Sequence, residues 1–436
     1  MPGAIGDFAR SDNPAVQRQL DRLARLSVPQ GRLGTDTIRT LLGRLGNPQD
    51  RLPPVFHVAG TNGKGSTCAF LRAMMEADGL RVHVATSPHL VRFNERIRLA
   101  GKLIGDSALA AVLAEVLDAG ADLAPSFFEA TIAATLLEFS RMPADACVVE
   151  VGLGGRFDAT NVFAHPAACG IAALGIDHEQ FLLVPEEGTP EQPLARIAFE
   201  KAGIVRPGSN LVTLSYPPDA ELEVERAAMA AGAPLAMRSR HWTSGADATF
   251  LEYEDRHGHL TLPLPSLPGL HQADNAALAI AMLRHQDFVA VSPDAMAAGI
   301  RHARWPARMQ AIRTGPLAVA AGSHALWLDG GHNRDAGGAI ARHFAEQRLH
   351  LIVGMLANKD PGALIDALGD RLASITAVPV PGHEFHRQDS FGSGVQRAYD
   401  VLEALQAIPP DGLPVLIGGS LYLAGNVLRL SGEVPD

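Results

Sequence analysis

Short β-branched apolar runs alternate with longer Ala/Leu-rich segments through the first half of this chain, and this alternation constrains the fold most. The runs end in Gly, Ser or Thr and lie at 55–60, 82–87, 147–152, 170–175 and 210–215. The segments between them that are long enough for helices lie at 64–78, 106–119 and 127–140. Strands that alternate with helices predict an α/β fold with a parallel sheet covered on both faces.

Two later stretches extend this organisation. Residues 247–265 alternate with period two around Arg256-His257-Gly258, which predicts a β-hairpin and a small antiparallel patch. After Pro306 the strand–helix rhythm restarts, with apolar runs at 325–331, 349–355, 374–380 and 414–420. We therefore predict two domains, 1–303 and 304–436, of which the second is another α/β unit.

Charge and composition narrow the class of protein. The 436 residues carry a net charge of −10, which gives no support to non-specific nucleic-acid binding. The three cysteines, Cys68, Cys147 and Cys169, share no metal-type spacing and cannot all pair, which predicts a reducing compartment. No apolar stretch reaches the ~18 residues of a membrane span, and no signal peptide is visible. We expect a soluble cytoplasmic protein that binds neither nucleic acid nor membrane.

The strongest local motif is VAGTNGKGST at 58–67. A strand enters a Gly-rich loop whose amides can face phosphate oxygens, and the helix that follows adds partial positive charge at its N-terminus. Lys64 can reach the β/γ oxygens of a nucleotide, and Ser66 or Thr67 can bind Mg²⁺. An ordinary strand–helix turn stays open as the alternative, because the spacing differs from the usual phosphate loop. The predicted nucleotide-binding residues are Asn62, Gly63, Lys64, Gly65, Ser66 and Thr67.

Nine sequence blocks occur in one order along the chain. They are GTNGKGST (60–67), SPHLVRFNERI (87–97), VEVGLGGRFDATNV (149–162), DH (177–178), IAFEKAGI (197–204), LPGLHQADNAALA (267–279), WPARMQ (305–310), LDGGHN (328–333) and GSLYLAG (419–425). Over about residues 15–430 the chain resembles bacterial folylpolyglutamate synthase/dihydrofolate synthase, the folate branch of the Mur-type amide ligases. The glycine after Lys64 favours the folate branch over the cell-wall ligases.

This resemblance implies a two-domain enzyme of folate and one-carbon metabolism, with an N-terminal phosphate-loop ATPase domain and a C-terminal Rossmann-like glutamate-ligase domain. ATP would phosphorylate a substrate carboxylate, and the amine of L-glutamate would attack the acyl phosphate. The implied substrates are dihydropteroate, folylpolyglutamates and L-glutamate. The implied cofactors are ATP and two Mg²⁺ ions, with K⁺ as a further candidate ion. A monomer is expected.

The resemblance also assigns metal ligands, namely Ser87, Glu150 and His178. Glu150 ends a buried apolar run, where a carboxylate is costly unless it is paired or bound to metal. Simpler roles stay open: an ion pair with an arginine for Glu150, a turn or N-cap for Ser87, and an ordinary polar contact for His178. Lys64, Glu150, His178 and Lys201 form the predicted catalytic set.

Lys201 stands in the block IAFEKAGI, at a predicted helix end capped by Gly203. The resemblance implies that Lys201 is carbamylated, since a CO₂ adduct turns an ammonium that Mg²⁺ would repel into an anion. The alternative is an exposed lysine that the dipole at the C-terminus of a helix favours. Residues 184–193, with three prolines and three glutamates, are expected to loop outward at the surface and to leave the register of this helix unchanged.

Other residues are assigned to substrate and nucleotide by resemblance. The expected pterin contacts are Ser126, Phe127, Phe128, Glu129, Phe157, Asp158 and Ala159. The expected further ATP contacts are Asn275, Arg308, Asp329 and His332. Less specific roles remain possible for each group: core packing for the paired phenylalanines, a plain turn for the loop after Glu150, helix capping for Asn275, and a solvated charge for Arg308.

Three competing functions remain at this stage. The chain could be a folylpolyglutamate synthase without the dihydrofolate synthase activity. It could be another Mur-type ligase acting on a cell-wall or amino-acid polymer substrate. Against this stands the expected lack of a UDP-sugar-binding N-terminal domain, since only residues 1–54 precede the first predicted strand. It could also be a non-catalytic ATP-binding switch protein, which would tolerate loss of Glu150, His178 or Lys201, yet all three are present.

Overall fold

The computed structural model describes residues 10–26, 34–345 and 347–435. The chain divides into two compact units. The first takes the described residues up to Pro88, Phe93–Ser266 and Gln272–Arg304; the second takes Trp305 onward and two short segments, His89–Arg92 and Leu267–His271. Every helix in the described ranges is too short or too polar to cross a lipid bilayer.

A mixed sheet of eight strands forms the centre of the first unit, in the order β4-β3-β2-β5-β1-β6-β7-β8. The strands are β1 (Val55–Ala59), β2 (Val82–Ala85), β3 (Ile97–Leu99), β4 (Lys102–Leu103), β5 (Ala146–Glu150), β6 (Ala168–Ile171), β7 (Asn210–Thr213) and β8 (Leu235–Met237). The six strands β2, β5, β1, β6, β7 and β8 are adjacent in that order and pair in parallel. Strands β3 and β4 add an antiparallel edge beside β2. The predicted parallel sheet is confirmed, and β3, β4 and β8 are additional to the predicted runs.

Helices cover this sheet. They are α1 (Pro14–Leu23), α2 (Asp36–Arg44), α3 (Lys64–Ala77), α4 (Asp106–Ala119), α5 (Phe127–Arg141), α6 (Glu179–Leu182), α7 (Pro193–Ala202), α8 (Pro218–Ala231), α9 (His271–Arg284) and α10 (Pro293–His302), with 3₁₀ turns at Pro48–Arg51 and Phe93–Arg96. One apolar cluster joins α1, α2, α4 and α5 to the sheet, and another joins α7 and α8 to it. Helices α3, α4 and α5 lie where the sequence predicts them.

A separate antiparallel sheet of three strands belongs to the same unit. Its strands are β9 (Trp242–Ala246), β10 (Phe250–Asp255) and β11 (Gly258–Pro263), in the order β11-β10-β9. The pairing of Asp255 with Gly258 closes the hairpin at Arg256-His257, as the alternating pattern predicts. Trp242 and Tyr253 stack on each other in the interior of this sheet.

The second unit is a smaller α/β layer with a six-stranded sheet in the order β12-β13-β17-β14-β15-β16. Its strands are β12 (Gln310–Ile312), β13 (Leu326–Leu328), β14 (Leu349–Val353), β15 (Leu372–Ala377), β16 (Gln396–Arg397) and β17 (Val415–Gly418). Its helices are α11 (Gly315–Ala321), α12 (Arg334–Phe344), α13 (Gly362–Leu368), α14 (Val401–Gln406) and α15 (Leu421–Ser431), with 3₁₀ turns at Gly369–Arg371 and Gln388–Phe391. The four predicted strands are present, and the short edge strands β12 and β16 are additional.

Candidate active site

Four predicted site positions follow parallel strands of the first unit. Strand β1 lies between β5 and β6, so that Val58 pairs with Glu150 on one side and with Gly170 on the other. In a parallel sheet the carboxyl ends of neighbouring strands meet at one edge, where ligands bind in open α/β sheets. The phosphate loop after β1, Ser87 after β2, Glu150 at the end of β5 and His178 after β6 therefore share this edge.

Backbone hydrogen bonds to the segment that follows β6 hold the phosphate loop. The amides of Thr61 and Asn62 donate to the carbonyl of Ala173, at 2.8 and 3.2 Å. Gly63 has a φ of +85°, and a Cβ there would lie 2.3 Å from Oδ1 of Asn275, so only glycine fits this turn. Helix α3 begins at Lys64, which directs its N-terminal amides toward the loop. The loop thus has the form of an anion-binding turn.

Two lysines converge on one oxygen of this loop. Nζ of Lys64 and Nζ of Lys201 both donate to the carbonyl of Gly60, at 2.9 and 3.0 Å. Lys201 is only 4% exposed, and this burial, together with the charge of Lys64, lowers the pKa of Lys201 to about 7. The expected alternative of an exposed Lys201 is therefore wrong. The charge of Lys64, and that of Lys201 when it is protonated, favours bound anionic charge in this cavity.

The lysines line one cavity together with part of the predicted metal site. Its lining consists of Gly60, Thr61, Lys64, Val151, Gly152, Leu153, Gly154, Asp177, His178 and Lys201. His178 has a left-handed backbone (φ +54°), and its side chain is 40% exposed with Nε2 3.9 Å from Asp177. The cavity therefore combines cationic groups with a carboxylate and an imidazole.

Glu150 and Ser87 are neighbours, as the predicted metal site requires. The amide of Ser87 donates to Oε2 of Glu150 at 3.2 Å, and Glu150 is 6% exposed. In the phosphate loop, the hydroxyl of Thr67 is buried and has no hydrogen-bond partner among the described residues. A buried carboxylate and a buried unsatisfied hydroxyl suit a hard cation such as Mg²⁺. Within the described ranges no three His, Cys, Asp or Glu side chains form a ready-made metal-binding group.

The loop after Glu150 is organised by Asp158. Both carboxylate oxygens of Asp158 are used: the amide of Leu153 donates to Oδ2 at 2.8 Å, and the amide and hydroxyl of Thr160 donate to Oδ1 at 2.9 and 2.5 Å. Asp158 is 5% exposed, and burial raises the pKa of its carboxyl. Behind it, Nε2 of His57 lies 2.8 Å from Oγ1 of Thr160. Asp158 thus shapes the predicted pterin loop from inside, and Phe157 and the buried Ala159 flank it.

The other predicted pterin contacts lie at the start of α5. Ser126 and Glu129 form a capping box, in which Oγ of Ser126 accepts from the amide of Glu129 and Oε2 of Glu129 accepts from the amide of Ser126. Phe127 packs edge-on against Phe93 in the core cluster. The ring of Phe128 lies against Gly152, where a Cβ would approach it to 2.4 Å. Phe128 is therefore the member of this group that reaches the loop after Glu150.

Asn275 lies on α9 beside the phosphate loop. It is 3% exposed, and its Nδ2 donates to Oε1 of Gln272 at 3.0 Å. Its Oδ1 faces Gly63, as the close approach described above shows. The alternative role of N-terminal capping does not fit, because Asn275 is the fifth residue of the helix and its side-chain bond goes to another side chain.

In the second unit, Arg308, Asp329 and His332 lie together. The amides of Met309 and Gly331 donate to Asp329, at 2.8 and 2.7 Å, and Nδ1 of His332 is 3.1 Å from the carbonyl of Gly330. A Cβ on Gly330 would lie 3.1 Å from Nη1 of Arg308. Asp329 thereby joins the loop before β12 to the loop after β13.

Sequence reasoning did not assign a role to several charged groups in the segments that line the cavity or adjoin them. One is Asp177 on the cavity wall; the others are Arg156, Glu186, Arg196 and Glu200, which form ion pairs with one another. Arg156, Asp177 and Glu200 lie within the sequence blocks that carry the family resemblance. The signal that could have found them is a charged residue in a segment expected to be buried, since such a charge needs a partner. Glu186 lies in the segment 184–193. Val184 and Glu187 of this segment are exposed as expected, but Glu186 is half-buried and forms an ion pair with Arg156.

No family model matches the chain, whereas individual proteins do. The dihydrofolate synthase/folylpolyglutamate synthase of Escherichia coli K12 is 34% identical over 411 residues, which cover 91% of this chain and 91% of that protein. A probable bifunctional folylpolyglutamate synthase/dihydropteroate synthase of Halobacterium salinarum is 33% identical over 421 residues. The match covers 89% of this chain but 48% of that protein, so the chain spans about half the length of that relative.

Solved structures that resemble this chain in fold are of the same kind of protein as these relatives. E. coli FolC in complex with DHPP and ADP has a TM-score of 0.84 at 29% identity, over 96% of this chain and 98% of that chain. A bifunctional folylpolyglutamate synthase/dihydrofolate synthase with Mn, AMPPNP and L-glutamate bound has a TM-score of 0.82 at 28% identity, over 97% of this chain and 99% of that chain. With similarity of sequence and fold along nearly its whole length, the chain belongs to the folylpolyglutamate synthase/dihydrofolate synthase family.

Proposed function

We propose that this protein is an ATP-dependent ligase that activates a pterin or folate carboxylate and couples it to L-glutamate. The observation that carries the proposal is the convergence of Lys64 and Lys201 on Gly60, in a phosphate loop at the carboxyl edge of a parallel sheet. Family members bind the corresponding ligands: ADP and DHPP in one structure, AMPPNP, Mn and L-glutamate in another.

The reaction is an acyl transfer in two steps. A carboxylate oxygen of the pterin substrate attacks the γ-phosphorus of ATP, the bond from that phosphorus to the β-phosphate oxygen breaks, and ADP leaves. The amine of L-glutamate then attacks the acyl carbon and loses a proton, and phosphate leaves with the oxygen that had attacked. Lys64 and the amides at the start of α3 are placed to hold the phosphates, whose charge would otherwise repel the attacking carboxylate.

Ser87 and Glu150, together with a hydroxyl of Ser66 or Thr67, fit a divalent cation in this site. When bound, such an ion neutralises phosphate charge and orients the transferring group. The contact between the amide of Ser87 and Glu150 fixes the carboxylate at the end of β5, and the buried hydroxyl of Thr67 has no partner among the described residues. His178 on the cavity wall is the proposed ligand of a second ion. The number of ions and the use of K⁺ stay predictions.

Carbamylation of Lys201 belongs to this proposal. A neutral amine adds to CO₂ and releases a proton, which leaves an anionic carbamate. A pKa of about 7 makes the amine of Lys201 substantially neutral near physiological pH, which an ordinary lysine is not. The modification would also place an anion beside Lys64, where Lys64 disfavours the protonated form of Lys201.

The division of labour within the chain is also proposed. We assign ATP binding and carboxylate activation to 1–303, with Asn275 beside the phosphate loop, and glutamate ligation to 304–436. Arg308, Asp329 and His332 are the proposed nucleotide contacts of that second region. We place the protein in the cytoplasm, since Cys68, Cys147 and Cys169 are all free and buried, and we expect a monomer.

The experiment is a product analysis with the purified protein, ATP and Mg²⁺. Dihydropteroate with L-glutamate tests the first activity, and a tetrahydrofolate with L-glutamate tests the second; the products are identified by mass together with released phosphate. We expect one added glutamate in the first reaction and one or more in the second. Glutamate addition only to the folate would identify a monofunctional folylpolyglutamate synthase. Absence of phosphate release with every pterin would contradict the proposal.

A further inference from the structure

One carboxylate of the segment 184–193, that of Glu186, points toward the protein and not toward solvent. Most of its residues are exposed, but Glu186 turns inward, and its side chain is 23% exposed. Oε2 of Glu186 lies 2.5 Å from Nη2 of Arg156 and 3.2 Å from Nη2 of Arg196. A segment that only looped outward would place both arginines beside open space at this point.

Glu200 completes the group from the opposite side. Its Oε1 lies 2.8 Å from Nη2 of Arg156 and 3.0 Å from Nη2 of Arg196. The side chains of Glu200 and Arg196 are each 6% exposed. Two guanidinium groups thus alternate with two carboxylates, and the four formal charges sum to zero. Buried charges are tolerated when each one is paired in this way.

Arg156 links this charge group to the loop that follows Glu150. The amide of Arg156 donates to the carbonyl of Glu200 at 2.7 Å, and its guanidinium lies 4.1 Å from the centre of the Phe157 ring. The backbones are in direct contact, because a Cβ on Gly155 would lie 2.8 Å from the carbonyl oxygens of both Glu200 and Lys201. Any shift of Arg156 therefore moves the loop against the end of α7.

We propose that Glu186 is a positioning residue that locks the loop 152–161 onto the C-terminal turn of α7. This inference rests on the proposed function, since the loop carries the pterin-binding segment around Asp158 and the helix carries Lys201. Glu186 touches neither reactant in this scheme and acts through Arg156 and Arg196. Through Glu186, the segment 184–193 thereby holds one wall of the active site in position.

Charge balance makes the effect of removing Glu186 directional. Without its carboxylate, Arg156 and Arg196 share Glu200 alone, and one positive charge is left uncompensated near Lys201. Arg156 then has no partner on the side of the segment, so the loop 152–161 gains freedom to leave α7. Both consequences act on the loop 152–161 and the end of α7, whereas the hydrogen bonds from the amides of the phosphate loop to Ala173 involve neither segment.

The test compares Glu186→Gln with Glu187→Gln, its exposed neighbour in the same segment. For Glu186→Gln we expect the KM for dihydropteroate to rise about tenfold, by analogy with lost positioning contacts around other catalytic groups, with the KM for ATP nearly unchanged. Amide hydrogen exchange in 152–161 should accelerate, while exchange at the start of α3 stays as in the wild type. Glu187→Gln should match the wild type in all of these measurements.

A double-variant cycle separates positioning from simple loss of stability. Arg196→Gln alone should also raise the KM for dihydropteroate, and the double variant should be less impaired than the sum of the two, because it removes one charge of each sign. Equal kinetics and equal exchange for the Glu186 and Glu187 variants would overturn the inference, as would strictly additive losses. If the wild type makes no ligase product, the proposed function fails, and the exchange measurement still decides whether Glu186 holds the loop.

Discussion

The loops 60–67 and 152–161 both follow central strands of one sheet, but they are held in different ways. The phosphate loop 60–67 is shaped by backbone hydrogen bonds and by glycines, and its charged side chain, Lys64, donates to the carbonyl oxygens of Gly60 and Thr61. The loop 152–161 is fixed by buried side chains, with Asp158 inside it and Arg156 paired to two carboxylates beyond it. The phosphate loop thus depends on backbone geometry and backbone hydrogen bonds, whereas the loop 152–161 depends on charged side chains of other segments.

This difference predicts separable effects of mutation. Removing the Lys64 side chain should remove chemistry and spare the fold, because the backbone bonds that hold the phosphate loop are kept. Changes in the loop 152–161 should affect both stability and substrate affinity, because the same side chains maintain both. The predictions below proceed from the largest expected effect to the smallest.

Lys64→Ala should reduce kcat by about 10² to 10³, since one charge directed at the transferring phosphoryl group is lost. The thermal unfolding transition should stay close to that of the wild type, because the hydrogen bonds of Lys64 within the described residues go to carbonyls of its own loop. The control is Lys102→Ala on the exposed edge strand, which should behave like the wild type. Turnover of Lys64→Ala within a few-fold of the wild type would contradict a role of Lys64 in phosphoryl transfer. An unfolded variant would contradict the expectation that Lys64 contributes little to stability.

Lys201→Ala should lose about 10- to 100-fold in kcat/KM, as expected for a residue that orients a metal-bound group, with partial recovery when a small carboxylic acid is added. Reactivation of CO₂-depleted wild type by bicarbonate should be faster above the lowered pKa of Lys201, about 7, than below it, because only the neutral amine adds CO₂. An intact mass without the carbamate in active protein, or reactivation that is faster at the lower pH, would contradict the modification.

Asp158→Asn should lower the free energy of unfolding by about 1–3 kcal/mol, since an amide cannot accept all the hydrogen bonds that the carboxylate accepts. The KM for dihydropteroate should rise more than the KM for ATP, because the loop 152–161 relaxes while the phosphate loop does not. Asp145→Asn, which affects an exposed ion pair with Arg81, is the matched control. Equal losses in pterin and ATP binding would mean that Asp158 supports the whole site and not this loop alone.

Ser126→Ala should cost about 1 kcal/mol of stability through loss of the capping box. Ser292 caps α10 in a similar way, so Ser292→Ala should cost a comparable amount. If Ser126 also touches the pterin, only its variant should change the KM for dihydropteroate. Matched stability losses with unchanged KM values in both variants would restrict Ser126 to a structural role.

The sequence predicted the parts of the fold that local patterns encode. The strands and helices around the phosphate loop follow the apolar runs closely; for example, α4 and α5 begin at Asp106 and Phe127. The short edge strands β3, β4 and β16 were not predicted, because two or three residues carry too little pattern to distinguish a strand from a loop. Their pairing depends on a neighbouring strand already in place.

The site was predictable where a residue follows a strand and not where it depends on a tertiary partner. Ser87 follows β2 and Glu150 ends the neighbouring strand β5, so their proximity follows from the topology. The depressed pKa of Lys201 does not, since it arises from burial and from Lys64, which lies 137 positions earlier. The inward turn of Glu186 was missed because a segment rich in proline and glutamate resembles a solvated loop.

The central claim is that the carboxylate of the pterin substrate is phosphorylated before L-glutamate attacks it. The direct measurement uses dihydropteroate labelled with oxygen-18 in its carboxylate, with ATP, Mg²⁺ and L-glutamate, followed by mass analysis of the released phosphate. The account predicts one labelled oxygen in each phosphate, because the attacking oxygen leaves with phosphorus. Phosphate that carries no label, formed together with the amide product, would contradict it.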